Sequence, residues 1–545
     1  MRKTLLTLAA AAICCLGAKA QYTADPSANT DVTGLVRSYG NDVIVNGDGT
    51  LFSLTKLPSN DDDGNTHLSL NIQILDKDGN KVLPDGGKEL DNPRAKSYTV
   101  VNQSLLADKD GNFIVASHDG RNAAPGSDEM GYTAYKIDAK GNVLWQKDLA
   151  GGSVFASAAL MSIAQTTDGG YVFAYMVFDE AAGTPDYIRM EKLTADGEEA
   201  WPEAVLLQDA KTSYAYPYLA DAGDNQFLLI YARGTGKYIE AQLYDFDGTP
   251  LWEQATEIYN GGFGDMPLHT QFYVMKAPEG AFVAWSDDRS YEGSYSNYAA
   301  YVKRDGTLGL NGTAGGLKIS YADEYSRQVP RLYYCEADQS LYAIYRQYSQ
   351  RYQDYCGIYM QRISPEGELL WGREGKAVVA MQQELSVGYA TVQGAGGTDI
   401  ATFWQTNTPG YGGDTKTYAL RSDADGNSLW AAPTEVCTVV SEKNNLLSSQ
   451  LIDGKYWILT WRDYRGAPDL FTDALYAQRV NADGTLGLTT GISHATADTH
   501  EGPACAYSLD GRLAASTEAG LGSLPKGIYI VKDKATGSAR KVTIK

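Results

Sequence analysis

Asp245-Phe246-Asp247-Gly248-Thr249-Pro250-Leu251-Trp252 is one of eight copies of a single turn. The others lie at 76–83, 138–145, 194–201, 303–310, 364–371, 423–430 and 481–488. Their glycines, Gly79, Gly141, Gly197, Gly248, Gly306, Gly367, Gly426 and Gly484, stand 62, 56, 51, 58, 61, 59 and 58 residues apart. A steady period above 50 residues signals an array of equal supersecondary units.

Each unit reads as four strands. A weak strand comes first, as at 159–165 and 331–335. An apolar strand rich in β-branched and aromatic residues follows, at 171–177, 227–233, 281–287, 341–347, 400–406 and 456–463. After a variable loop, alternating segments such as 187–193, 238–244, 358–363 and 475–480 suit a half-buried third strand. Asp-Gly then reverses the chain, with glycine supplying the positive φ of a tight hairpin. Leu-Trp is expected to open the fourth strand, and its Trp to pack between neighbouring units. The fifth and eighth copies carry Leu-Gly-Leu instead. No segment has a helical period. Four antiparallel strands repeated radially make a β-propeller. The expected fold is therefore all-β: an eight-bladed β-propeller over residues 34–492, with seven blades as the alternative, and a small C-terminal β appendage.

The chain has 545 residues, a formal net charge of −21 and 43% hydrophobic residues. So acidic a protein repels phosphate, which argues against nucleic-acid partners. Residues 1–20 read as a secretory signal: Arg2-Lys3, the apolar run Leu5–Leu16, then Ala18-Lys19-Ala20 before Gln21. Ile13 ahead of Cys14 lacks the small side chain of a lipoprotein cleavage site, so release is expected over lipid anchoring. No other apolar run is long enough to span a membrane. Cys335, Cys356, Cys437 and Cys505 have no metal-ligand spacing. Cys335 and Cys356 fall on the first and third strands of one unit, too far apart for a disulfide. The Asp-x-Asp-Gly-Asn form at 76–80, 108–112 and 423–427 resembles part of a calcium loop, but the closing glutamate is missing and it is read as a turn. No cofactor is expected. The densest acidic loop, Asp61-Asp62-Asp63, is the remaining candidate for holding calcium.

Residues 503–545 differ from the repeats. Tyr507-x-x-x-Gly511-Arg512, then Leu524-Pro525-x-Gly527-Ile528-Tyr529-Ile530-Val531 and the terminal Lys541-Val542-x-Ile544-Lys545 resemble the C-terminal sorting domain of type IX (Por) secretion in the Bacteroidota. The resemblance covers about 40 residues and is carried mainly by Gly527–Val531 and Lys541–Lys545. It implies passage through outer-membrane secretion machinery to the cell surface or beyond. The repeats also resemble those of such exported proteins, a likeness that implies architecture and no activity.

Ligand contacts are expected on the loops after the second strands, at 286–297, 346–356, 405–415 and 462–473, because rigidly mounted loops favour binding. There are 38 Tyr against 12 Phe, and Tyr beside Asp, Arg and Asn suits sugar or protein recognition. The candidate binding residues are Trp285, Asp287, Arg289, Tyr345, Arg346, Trp404, Trp461, Asp463 and Arg465. Trp285, Tyr345, Trp404 and Trp461 each end a second strand and so share one side; burial between blades is the competing reading. Trp-x-Asp-x-Arg at 285–289 and 461–465, with a partial copy at His118-Asp119-Gly120-Arg121, is better read as a structural Asp–Arg clamp, since an active site is assembled once. The five histidines form no metal motif, and no nucleophile elbow or phosphate loop is present. A glycosidase needs only two carboxylates, and 67 acidic side chains leave that open. The expected function is binding of an extracellular glycan or protein. The alternatives are a glycoside hydrolase or polysaccharide lyase on the same scaffold, and a purely structural surface protein.

Overall fold

The computed structural model describes residues 21–34, 41–60, 66–91, 102–119, 129–154, 161–177, 183–234, 238–261, 272–289, 294–321, 324–349, 355–408, 414–467, 473–488, 504–508, 512–515, 524–533 and 539–544. The signal segment at 1–20, the acidic loop at Asp61–Asp63 and Arg121 lie outside these. Every regular element among the described residues is a β-strand. The chain divides after Gly487 into two compact units.

Among the described residues the first unit holds eight four-stranded antiparallel sheets, numbered here in chain order. They span 41–91, 102–154, 161–207, 214–260, 273–318, 325–382, 386–437 and 443–481. Sheet 4 is typical: Tyr214–Gly223, Gln226–Arg233, Tyr238–Asp245 and Thr256–Asn260 pair in sequence order. Sheet 8 departs from this pattern. Its outer strand is Thr30–Asp31, which pairs with Ala474–Asn481 and lies before the expected start at residue 34.

The repeated turn forms as its sequence dictates. Asp245 Oδ1 accepts from the backbone N–H groups of Asp247 (3.0 Å) and Thr249 (2.8 Å), and Gly248 takes φ = 83°. That left-handed conformation is open to glycine at little cost. In the calcium-like copy at 76–80, Asn80 Nδ2 donates to both Asp76 oxygens, at 3.1 and 2.9 Å. The carboxylate thus serves its own turn.

The segment after the turn corrects an expectation. Leu-Trp does not open the fourth strand, except in sheet 2, where Val143–Val154 includes Trp145. Elsewhere one bridge forms, such as Tyr244↔Pro250, and the ladder stops until the fourth strand begins. A third-strand glutamine takes over the hydrogen bonding there. Gln361 Oε1 accepts from Trp371 N (3.1 Å) while its Nε2 donates to Gly372 O (2.7 Å), and Gln73 does the same for Leu83 and Pro84. The backbone is satisfied without a ladder, which frees Trp to leave its own sheet.

Each Trp reaches the next sheet's turn. Trp145, Trp201, Trp252, Trp371 and Trp430 donate their indole N–H to the carbonyls of Ala195, Phe246, Arg304, Ala424 and Ala482, at 2.8–3.2 Å. A third-strand cation of the same sheet often bonds the same carbonyl: Lys136, Lys192, Arg362 and Arg421, at 3.1–3.3 Å. The turn glycine is needed here a second time, since a Cβ on Gly197 would stand 2.7 Å from the Trp145 ring. Leu83 covers Gly141 in the same way, and the backbone of Leu310 covers Gly367. At Gly79 of sheet 1 the covering group is Tyr22, from the segment that runs along sheet 8. Tyr22 N donates to Asp78 O (3.3 Å), and Gln478 Nε2 of sheet 8 donates to Thr23 O (2.9 Å).

The core lies between sheets. Buried apolar clusters join sheets 1–2, 2–3, 3–4, 4–5, 5–6, 6–7 and 7–8. Second strands are covered on both faces, which is why Phe113–Asp119 and Tyr171–Val177 are buried at every position. The four remaining cysteines are buried and form no disulfide among the described residues; Cys335 ends a first strand and Cys356 starts a third.

The second unit contains one four-stranded sheet, ordered Leu513–Ala515, Ala504–Ser508, Gly527–Asp533, Ala539–Ile544. Ala506 and Val531 form its small core.

Candidate functional site on the first strands

The aromatic residues expected to carry binding are buried. Trp285, Tyr345, Trp404 and Trp461 are 0–4% exposed and sit in the cores between sheets 4–5, 5–6, 6–7 and 7–8. This corrects the proposed stacking face. They do share one end of their strands, but a neighbouring sheet covers each ring.

The Asp and Arg residues beside them form clamps. Trp285 Nε1 donates to Asp287 Oδ2 (2.9 Å), and Arg289 grips both Asp287 oxygens through Nε, at 2.9 and 3.0 Å. The Arg289 guanidinium stacks 3.6 Å from the Tyr298 ring centroid and borders a cavity of about 190 Å³ with Tyr259 and Gly315. In sheet 8, Trp461 Nε1 and Arg465 Nη2 both donate to Asp463 Oδ2, at 3.1 and 2.5 Å, and Arg465 lies 3.9 Å from the Tyr476 ring. The two clamps stand on different seams and do not make one site. Lys443, fully buried, lies 3.8 Å from Asp463 and donates to the carbonyls of Thr415, Val439 and Ser441. Burial depresses its pKa and raises that of Cys437. His118 is buried against Tyr132, ring centroids 4.6 Å apart, and burial holds its pKa down to about 4. Arg346 lies over the Tyr348 ring at 5.0 Å.

Polar groups that converge from several sheets lie instead on the first strands, which the sequence reading passed over as weak. Strand register puts one residue of each first strand opposite the second-strand residue just before the Trp285 position, namely Leu54, Ala116, Ala174, Ile230, Ala284, Ile344, Phe403 and Thr460. Their first-strand partners are Asp42, Ser104, Ser162, Tyr218, Tyr273, Arg331, Thr391 and Leu447. Contacts between sheets run along this row. Gln103 of sheet 2 donates to Asp42 of sheet 1. Leu219 N of sheet 4 donates to Ser162 Oγ of sheet 3 (2.9 Å). Arg331 of sheet 6 lies 5.2 Å from the Tyr273 ring of sheet 5. Thr391 of sheet 7 and Ser448 of sheet 8 meet at 3.3 Å.

Four of these strands carry a bulge just before the row, at 215–218, 328–331, 387–390 and 444–447. Bulges re-aim the side chains that follow them. Tyr216 and Asn445, inside two of them, take φ of 54° and 53°. Pro217 and Pro330 fall in the bulges, where a missing N–H costs no ladder bond. The strings Tyr216-Pro217-Tyr218 and Val329-Pro330-Arg331 were the sequence signal available for this wall.

The row is charged in two places. Burial raises the Asp42 carboxyl pKa, against the Gln103 hydrogen bond and the Lys56 and Arg462 charges. Lys56 is depressed by burial, with Arg462 adding to that effect and Asp42 opposing it. Arg462 is tied to Asp473, Nε to Oδ2 at 2.5 Å. Across the row, burial raises Tyr218 and Tyr273, while the Arg331 charge pulls both down. Among the described residues no group of three or more His, Cys, Asp or Glu is arranged to hold a metal ion, and no helix is long and apolar enough to cross a membrane.

No family model matches the chain, and no curated protein matches it. Among solved structures it is similar to prolyl oligopeptidase B from Galerina marginata, at 13% identity and TM-score 0.41, covering 79% of this chain and 56% of that one. It is also similar to the polysaccharide lyase Uly1, at 11% identity and TM-score 0.41, covering 70% and 90%. A third is Penicillium chrysogenum alpha-L-arabinanase complexed with arabinobiose, at 11% identity and TM-score 0.34, covering 61% and 96%. None of these likenesses assigns a role to a residue of this chain.

Proposed function

We propose that this chain is an exported glycan-binding protein built as a closed eight-bladed β-propeller, with the first strands walling its channel. The closed ring of eight is supported by the seams: seven consecutive sheets each cover the next sheet's turn glycine, and Tyr22 beside sheet 8 covers that of sheet 1. The observation that carries the binding reading is the row of first-strand residues, in which Asp42, Tyr218, Tyr273 and Arg331 hold the same register position on their sheets. Aromatic rings beside hydrogen-bonding groups suit saccharides. A glycan array probed with the chain from Gln21 onward is expected to give binding without release of reducing sugar. Asp42→Asn and Tyr273→Ala should each weaken that binding. Retention of full affinity by both variants would remove the channel from consideration.

A second reading is a glycan-degrading enzyme. It is favoured by the Asp42 carboxyl, which burial holds above the usual carboxylate range, as general acids require. Release of reducing sugar that disappears in Asp42→Asn would establish it.

The tail is proposed as a type IX sorting segment, which its separation as a compact unit supports. Deleting 503–545 is expected to leave the melting temperature unchanged and to trap the protein in the periplasm. Unfolding of the truncated chain, or its normal export, would reject the proposal.

A further inference from the structure

We infer that Arg331 recognises the carboxylate of a uronic acid, making the channel a site for acidic saccharides. The inference rests on the reading of the channel as a glycan site and names its substrate class.

Arg331 is half-buried on the first strand of sheet 6. It makes no hydrogen bond or ion pair with any described residue; the Tyr273 ring is its described neighbour, 5.2 Å away. Six other arginines of these sheets are held by acids instead. Arg189, Arg233, Arg289, Arg362, Arg421 and Arg465 are all paired with acids at 2.5–2.7 Å. Arg331 also acts on Tyr218, a residue of sheet 4, two sheets away. Register gives Arg331, Tyr273 and Tyr218 the same position on the first strands of sheets 6, 5 and 4, and Arg331 lies against the Tyr273 ring, so we place its guanidinium on the wall of the proposed channel. The bulge at 328–331 turns it there.

The chemistry follows from these facts. A guanidinium presents a planar fork that matches a carboxylate with two parallel hydrogen bonds. Tyr273 and Tyr218 follow Arg331 along the row on sheets 5 and 4, both half-buried, and supply aromatic surface and hydroxyls beside the guanidinium. Asp42 lies in the same row, and the chain carries a net charge of −21. Both disfavour densely sulfated chains, whereas an isolated carboxylate met by one guanidinium is accommodated. An unpaired cation within an acidic protein gives discrimination in favour of one anionic group.

The test is calorimetric titration of the chain from Gln21 onward with galacturonate, glucuronate and mannuronate oligosaccharides, their methyl esters, a heavily sulfated oligosaccharide and neutral oligosaccharides. Wild type is expected to bind at least one uronate about 10–100-fold more tightly than its methyl ester, the scale of a charge-assisted hydrogen-bond pair. Arg331→Gln should lose that preference, binding acid and ester alike, and Arg331→Lys should keep part of it. The melting temperature of Arg331→Gln should stay close to wild type, because no described ion pair is broken. Equal binding of acid and ester by wild type would overturn the inference, as would equal weakening of both by Arg331→Gln. Tightest binding of the sulfated probe would overturn the choice of carboxylate. If neutral glycans bind and uronates do not, the inference falls and the glycan reading stands; if none binds, both fall.

Discussion

Trp285→Ala and Trp461→Ala are each expected to lower the stability of the folded chain by about 3–5 kcal/mol, the range for truncating a large buried aromatic. Both rings are fully buried between sheets. Each also donates its indole N–H to the aspartate of an Asp–Arg clamp, Asp287 at 2.9 Å and Asp463 at 3.1 Å. In sheet 8 that aspartate also faces the buried Lys443. Losing the indole therefore weakens the setting of Arg289 in sheet 5, or of Arg465 and the buried Lys443 in sheet 8, as well as leaving a void. Trp461→Phe fills part of the void and should cost less than Trp461→Ala. Urea unfolding gives the stability, and glycan titration below the transition gives the affinity of the molecules that remain folded. Stability should fall while that affinity holds. An unchanged unfolding midpoint with lost affinity would instead make these rings ligand contacts.

Deleting residues 21–33 is expected to cost more than any single substitution. The deletion removes Tyr22 from Gly79 and the Thr30–Asp31 strand from the edge of sheet 8. It also removes Asn29, whose Nδ2 donates to Val436 O (3.0 Å) and whose Oδ1 accepts from Arg465 (3.2 Å). Sheet 8 is then left with an unpaired edge, which invites association with other chains. Tyr22→Ala alone should cost about 3 kcal/mol or more as a buried aromatic. The deleted chain should unfold in a broader transition at lower urea, and a synthetic peptide of residues 21–34 should restore part of the loss. Undiminished stability of the deleted chain would mean that the proposed ring, if closed, does not depend on this segment.

The local part of the fold was legible because its determinants lie close together in the chain. Glycine at Gly248 was read from its turn, and it takes the positive φ that the turn needs. The second strand read at 456–463 is Tyr456–Asp463, because its apolar run and bounding turns identify it locally. The placing of Trp371 was half legible. Its packing on the neighbouring unit was expected, but its leaving the ladder depends on Gln361, ten residues earlier and across a turn. The binding aromatics were misplaced for a related reason. A residue's position along a strand is written in the chain, whereas the cover over Trp404 comes from residues in sheets 6 and 7 together.

The sequence by itself determined the repeat, its eight turns and its four-strand unit, since each rests on contacts within a few residues. It also carried the structural reading of Trp-x-Asp-x-Arg, because a motif present in two units cannot be a site assembled once. Only the tertiary structure decided that Tyr22 stands in for the missing tryptophan of the last unit, some 450 residues away in the chain. Only it gave Asp42, Tyr218, Tyr273 and Arg331 the same register position on their first strands. Those four lie on weak strands with no shared local pattern. Their common depth follows from strand register and bulges, which are fixed by packing between sheets and not by the order of residues within any one of them.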